Sequence, residues 1–174
     1  MSETISVLLT EEEVDAKIKE IGEKINRDYE GRSVHFVCVL KGSVFFACEL
    51  AKRVTVPLSI DFMSVSSYGD DTKSSGVVRI VKDLDESIKD KDVVVIEDIV
   101  DSGRTLSYLL KTLESRGPKS LTLCTLLDKP ERRVVEVDVR YTGFQIPDEF
   151  VVGYGLDYAQ KYRNLPYIGI VHFD

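Results

Sequence analysis

Apolar and polar residues alternate along the chain with a period that switches between helical and extended spacing. Val14, Ile18, Ile21 and Ile25 fall on one helical face, and Thr10 followed by Glu13 has the form of a capping box. An amphipathic helix is therefore predicted over residues 11–27. The run VHFVCVL (34–40), bounded by Gly31 and Gly42, reads as a buried strand. SVFFACELAKR (43–53) has the length and composition of a helix, with a blurred period. LSIDFMSV (58–65), VVRIVKDL (77–84), DVVVI (92–96) and SLTLCTLL (120–127) read as further strands. Leu106, Leu109, Leu110 and Leu113 repeat at helical spacing, so a helix follows SGRT, and Gly117–Pro118 stops it. After the turn DKPERR the final third breaks into short strands and loops.

Strands alternating with helices predict an α/β fold with a mostly parallel central sheet flanked by helices. At 174 residues the chain is expected to form one domain, residues 1–174, on a prior of roughly 100–200 residues per domain. In such sheets ligands collect at the carboxyl ends of the strands. One polar, glycine- and serine-rich segment, SSYGDDTKSSG (66–76), interrupts the pattern and reads as either mobile filler or a lid.

Composition narrows the classes. With 43% hydrophobic residues a sizeable core is available, yet no apolar run approaches the roughly 18 residues of a membrane span. The start MSETISVLLT lacks a basic leader region, so no secretory signal is expected. Cys38, Cys48 and Cys124 lie among aliphatics in no metal or disulfide spacing and read as small core residues of a reducing compartment; the cytoplasm is the expected location. Thirty acids against 23 bases give a net charge of −7. No basic face is evident, so neither nucleic acid nor a membrane is an expected partner. A phosphorylated substrate is still compatible, because backbone amides and a cation reverse the field locally.

The candidate chemistry concentrates in VVVIEDIVDSGRTLSYLL (93–110). DSGRT at a strand-to-helix turn has the parts of an anion cradle: Gly103 for a tight turn, the hydroxyls of Ser102 and Thr105, and the free amides of a helix's first turn. By itself it reads equally as an ordinary helix cap. The adjacent acids Glu97 and Asp98 shift that balance, because a cap needs no further carboxylates at the tip of an aliphatic strand. Carboxylates accept from vicinal hydroxyls and suit a hard divalent cation. Cradle and acids together read as a site for ribose 5-phosphate with magnesium nearby. The spacing of a dinucleotide fingerprint or a Walker lysine is missing from LKGS (40–43).

The stretch VVVIEDIVDSGRTL closely resembles the 5-phosphoribosyl 1-pyrophosphate motif of the type I phosphoribosyltransferases. LKGSVFF, DFMSVSSYG, LLDKPERR and IPDEFVVGYGLDYAQKYRNLPYIG resemble its hypoxanthine-guanine (6-oxopurine) branch in compact bacterial form, over roughly residues 5 to 172. The resemblance implies the fold of that family, with a small hood from the N-terminal segment and the C-terminal third, and a flexible lid at about 66–76. It implies a purine salvage enzyme that joins hypoxanthine or guanine to 5-phosphoribosyl 1-pyrophosphate with Mg2+, giving IMP or GMP and pyrophosphate, and a homodimer or homotetramer.

By the same resemblance, Glu97 and Asp98 hold the ribose hydroxyls directly or through magnesium and water. Asp101 is the proposed general base at nitrogen 7 of the purine, and Asp101, Ser102, Gly103, Arg104 and Thr105 wrap the 5′-phosphate, Arg104 through its backbone. Lys129 donates to the 6-oxo oxygen, Phe150 stacks on the base, and the Val151 backbone meets its edge. Asp157 is a second magnesium ligand beside the base, and Arg163 a pyrophosphate contact. Leu40–Lys41–Gly42 matches a loop whose backbone binds pyrophosphate, with a cis peptide expected at Leu40–Lys41. Ser67 and Tyr68 match lid residues. Read alone, Lys129 would be solvated surface, Phe150 a core aromatic and Asp101 a cap; His35 and His172 read as structural. Three rivals stand beside this reading: another base specificity such as xanthine, a nucleotide-sensing RNA-binding regulator on the same fold, and a phosphoacceptor signalling domain. Asp101, Lys129, Asp157 and Arg163 together favour catalysis.

Overall fold

The computed structural model describes residues 2–67 and 78–174. Its elements are β1 (Glu3–Leu9), α1 (Glu11–Asp28), β2 (Val34–Leu40), α2 (Val44–Ala51), β3 (Leu58–Ser67), β4 (Val78–Lys82), β5 (Asp92–Val100), α3 (Arg104–Glu114), β6 (Ser120–Asp128), β7 (Tyr141–Gln145), β8 (Val151–Val152) and β9 (Ile168–Phe173). A six-stranded sheet runs in the order β4-β3-β2-β5-β6-β7. Pairing is parallel throughout except for the edge strand β4, which is antiparallel to β3. This is the mostly parallel α/β sheet expected from the sequence.

The sheet is buried on both faces, which explains its continuous aliphatic runs. Along β5, Val94 and Ile96 join one core with Val14, Ile18, Ile21 and Ile25 of α1 and Phe46 and Leu50 of α2. Val93 and Val95 point the other way, into a second core with Leu106, Leu109 and Leu113 of α3. Each such large side chain removed from water contributes about 1.5–3 kcal/mol. The predicted capping box forms: Thr10 Oγ1 accepts from the Glu13 amide at 3.1 Å, and the Glu13 carboxylate accepts from the Thr10 amide at 3.3 Å. Among the described residues no helix is long and apolar enough to cross a membrane.

Some expectations change. β5 does not stop at Ile96 but continues through the acids to Val100, because Glu97, Ile99 and Val100 keep their register with β6. Cys48 is exposed, unlike buried Cys38 and Cys124. Asp92, at the start of β5, is buried, accepting from Ser120 Oγ at 2.6 Å and facing Arg32 at 3.5 Å. His35 is buried and shares a 2.6 Å hydrogen bond with Ser59, as a structural histidine would.

The expected hood is a three-stranded antiparallel sheet, β1-β9-β8, built from both ends of the chain. It is pinned to the loop after β8, because Glu3 accepts from Tyr162 Oη at 2.7 Å and pairs with Lys161.

Candidate active site

The site lies where β2, β5 and β6 end and the loops after them meet the hood. Glu97 and Asp98 lie near the carboxyl end of β5, followed in the strand by Ile99 and Val100. Part of each residue faces solvent, but both carboxyl groups sit in dense protein. Burial and then the charge of Asp98 push Glu97 well above the usual carboxylate range. Burial likewise raises Asp98, opposed by hydrogen bonds that include the 2.7 Å donation from the Ile99 amide to its Oδ1. Two acids held together against repulsion form a site waiting for hydroxyl donors or a cation. Among the described residues no group of three or more His, Cys, Asp or Glu is arranged to hold a metal ion. A pair of hard carboxylates nevertheless fits magnesium, which commonly takes one or two protein carboxylates and completes its shell from substrate and water.

Immediately after β5, Gly103 has φ +83 and caps α3 in a left-handed conformation that a side chain would strain. A Cβ there would also lie 2.3 Å from the Val135 carbonyl oxygen. The Arg104 amide donates to Ser102 Oγ at 3.3 Å, while among the described residues the amides of Ser102, Gly103 and Thr105 have no backbone acceptor. Ser102, Gly103 and Thr105 thus present amides without a backbone acceptor among the described residues at a helix N-terminus, as a phosphate requires.

Lys129 follows β6 at the start of a 3-10 turn, Pro130–Arg132. Its amide donates to the Val100 carbonyl at 3.0 Å, which hangs the turn on the end of β5. Its ammonium stands 3.9 Å from Asp101 and 3.8 Å from Asp148, and its side chain is only 12% exposed. The structure therefore brings together two of the residues assigned to the base, Asp101 and Lys129. Asp148, absent from the sequence reading, completes the group; it carries no motif signal beyond its place in IPDEF.

Phe150 precedes β8 and is 47% exposed, not a core aromatic. Its ring meets Tyr158 edge-on at 5.7 Å and Phe173 at 6.0 Å, leaving the stacking function sterically open. Val151 is buried in β8. In the following loop Arg163 donates to the Gly155 carbonyl at 2.7 Å and lies 3.4 Å from Asp157, whose Oδ2 accepts from the Gln160 amide at 2.9 Å. Asp157 is thus tied to Arg163 within the hood loop.

Leu40–Lys41 is a cis peptide, as the family resemblance implies. The next residue is pressed between two parts of the site. A Cβ on Gly42 would fall 1.8 Å from Asp98 Oδ2, and one on Gly155 would fall 2.0 Å from the Gly42 carbonyl oxygen. Hood loop, β2 loop and β5 carboxylate are therefore stacked with no space for a methyl group. The sequence reading named Gly42 but not Gly155, whose signal is only the second glycine of GYG. Ser67 ends β3 with its Cα opposite Val78 of β4. Tyr68 and the remainder of the proposed lid, 68–76, lie outside the described residues.

Residues 6–159 match the phosphoribosyl transferase domain family. The chain is 57% identical over 165 residues to a bifunctional protein TilS/HprT from Listeria monocytogenes, covering 95% of this chain but 26% of that protein. It thus spans about a quarter of the first curated relatives it matches. It is 50% identical over 175 residues to the hypoxanthine phosphoribosyltransferase of Buchnera aphidicola, with 99% of each covered. A crystal structure of a hypoxanthine phosphoribosyltransferase from Staphylococcus aureus superposes with a TM-score of 0.93 at 52% identity, over 96% of this chain and 91% of that one. Domain match, identity along essentially the whole length and superposition agree with the motif of residues 93–106: the chain belongs to the phosphoribosyl transferase family, in its hypoxanthine phosphoribosyltransferase branch.

Proposed function

We propose that this protein transfers the 5-phosphoribosyl group of 5-phosphoribosyl 1-pyrophosphate to hypoxanthine or guanine, giving IMP or GMP and pyrophosphate. The observation that carries this reading is the approach of Lys129 to Asp101, 3.9 Å apart, at the first residue of the 101–105 loop. A donor-only ammonium suits a 6-oxo group and opposes the amino group of adenine. The carboxylate beside it receives the proton that the purine loses at nitrogen 7. Nitrogen 9 meanwhile forms its bond to the anomeric carbon, and the bond from that carbon to the pyrophosphate oxygen breaks. The amides of residues 102–105 bind the 5′-phosphate, the Lys41–Gly42 backbone and Arg163 bind pyrophosphate, and Phe150 and the Val151 backbone hold the base.

Glu97 and Asp98, with Asp157 as a further ligand, would hold magnesium. When bound, that ion supplies charge neutralisation to the diphosphate leaving group. Glu97 and Asp98 orient the ribose through its hydroxyls. Exclusion of water matters for an oxocarbenium-like transition state, and closure by the segment around Ser67 and Tyr68 belongs to the same proposal. So does assembly into a homodimer or homotetramer, which sedimentation of the purified chain reads directly.

The test is a panel of bases offered to the purified protein with magnesium and 5-phosphoribosyl 1-pyrophosphate, followed by nucleotide formation. Hypoxanthine or guanine should be consumed, while adenine and uracil should not. Consumption of adenine alone would move the chain to another branch, and consumption of xanthine in preference to both would correct the base. No turnover with any base would overturn the catalytic reading.

A further inference from the structure

The 5′-phosphate loop rests on a segment to which the chemistry above assigns nothing. Arg133 lies just beyond the turn that carries Lys129. Its Nε donates to the Asp101 carbonyl at 3.1 Å, and its terminal nitrogen is paired with Asp128 at the end of β6. The two side chains are only 12% and 10% exposed. The next two amides, of Val134 and Val135, both donate to the Ser102 carbonyl, at 2.9 and 3.0 Å. Gly103 then packs against the Val135 carbonyl, with the Arg133 side chain also in reach of any Cβ placed there.

This arrangement has a geometric effect. In a planar trans peptide the carbonyl and the N–H point in opposite directions. Holding the carbonyls of Asp101 and Ser102 against residues 133–135 therefore turns the amides of Ser102 and Gly103 to the opposite side. These are donors of the proposed phosphate cradle. We propose that Arg133 is a positioning residue for the 5′-phosphate: it fixes the orientation of the loop amides without touching the substrate. The inference rests on the phosphoribosyl transfer reading above.

Arginine suits the task because its planar fork serves two acceptors at once, the Asp128 carboxylate and the Asp101 carbonyl. A lysine keeps the charge beside Asp128 but offers one nitrogen for two separated acceptors.

The experiment compares steady-state kinetics of wild type, Arg133→Lys, and the double variant Asp128→Leu with Arg133→Met. The double variant replaces the buried ion pair by apolar side chains of similar length, an exchange that folded proteins commonly tolerate. Both variants should raise the KM for 5-phosphoribosyl 1-pyrophosphate about tenfold, the scale of one well-made hydrogen bond, and leave the KM for hypoxanthine within about twofold. Thermal melting is followed alongside, and if Arg133→Lys melts below the assay temperature the double variant decides. An unchanged KM for 5-phosphoribosyl 1-pyrophosphate in a folded variant would overturn the assignment. A parallel rise in both KM values would overturn it as well, in favour of a general packing role. A wild type that turns over no base would instead remove the transfer reading itself, and this inference with it.

Discussion

The ammonium of Lys129 stands beyond hydrogen-bonding distance of both neighbouring carboxylates, so its donors are poised for a third acceptor. Lys129→Ala should lower kcat/KM for hypoxanthine about 10–100-fold while leaving adenine nearly as poor a substrate as before, which narrows their ratio. Unaltered discrimination in a competition assay would reject the assignment. Asp101→Ala should depress kcat by about 10²–10⁴ with the affinity for 5-phosphoribosyl 1-pyrophosphate largely retained, as expected for a proton acceptor. Affinity lost in step with rate would mean a capping role. The acids of β5 behave oppositely in stability and function. Burial and mutual repulsion already hold the Glu97 carboxyl well above its ordinary value. Glu97→Gln removes the cost of keeping this buried acid protonated at neutral pH and should raise the Tm of the ligand-free protein, while activity falls. A lower Tm would show that Glu97 is needed by the fold itself.

At the level of elements, one exposed link joins the edge of the sheet to the far end of a helix. Arg116, just after α3, donates to both oxygens of Asp83, just after β4, at 2.7 and 3.0 Å. These bonds hold the Asp83 carboxyl below the usual carboxylate range. A group depressed in the folded state adds stability above its unfolded value and loses it as pH falls through the folded one. Asp83→Asn should therefore cost a constant few tenths of a kcal/mol at neutral pH, discounted for an exposed pair. The difference should vanish as pH drops through and below the ordinary carboxylate range. Urea midpoints across that interval check it; a gap that persists in acid would exclude the ion pair as its source.

How much was legible differs from element to element. α1 and α3 were readable because a single apolar face at helical spacing is a strong local signal. The interior strands were readable because burial on both faces leaves uninterrupted aliphatics. β1 was not read, since ETISVLL pairs only with residues at least 159 positions away, from Leu9↔Ile168 to Glu3↔Phe173, a relation with no local trace. The extension of β5 through its acids was hidden for a similar reason: β6 supplies the register, while Glu97 and Asp98 locally look like a strand's end. Lys129, Phe150 and Arg163 gained their roles from family resemblance, because a lone lysine, phenylalanine or arginine has no pattern. The buttress at Arg133 and the contact at Gly155 depend on chain crossings that only three dimensions provide.

For the molecule as a whole, the contact of hood and sheet at Gly155 and Gly42 governs how the site is assembled. Gly155 has φ +98 and its missing Cβ would meet backbone. Gly155→Ala should therefore displace the hood loop that carries Asp157 and Arg163, costing about 1–3 kcal/mol of stability. Turnover should fall at least tenfold, and a variant with full activity and unchanged Tm would show that the two parts slide freely.

The pairing of β1 with β9 has one more consequence. The Asp174 amide donates to the Ser2 carbonyl at 3.2 Å, and the side chains of the same two residues are hydrogen-bonded. Head and tail thus meet at one point on the hood. A short peptide splice there, with new ends cut in the exposed connection between β4 and β5, should yield a permuted protein that folds and turns over like the original. By the same token, a neighbouring module fused at either end would be moored at the same spot.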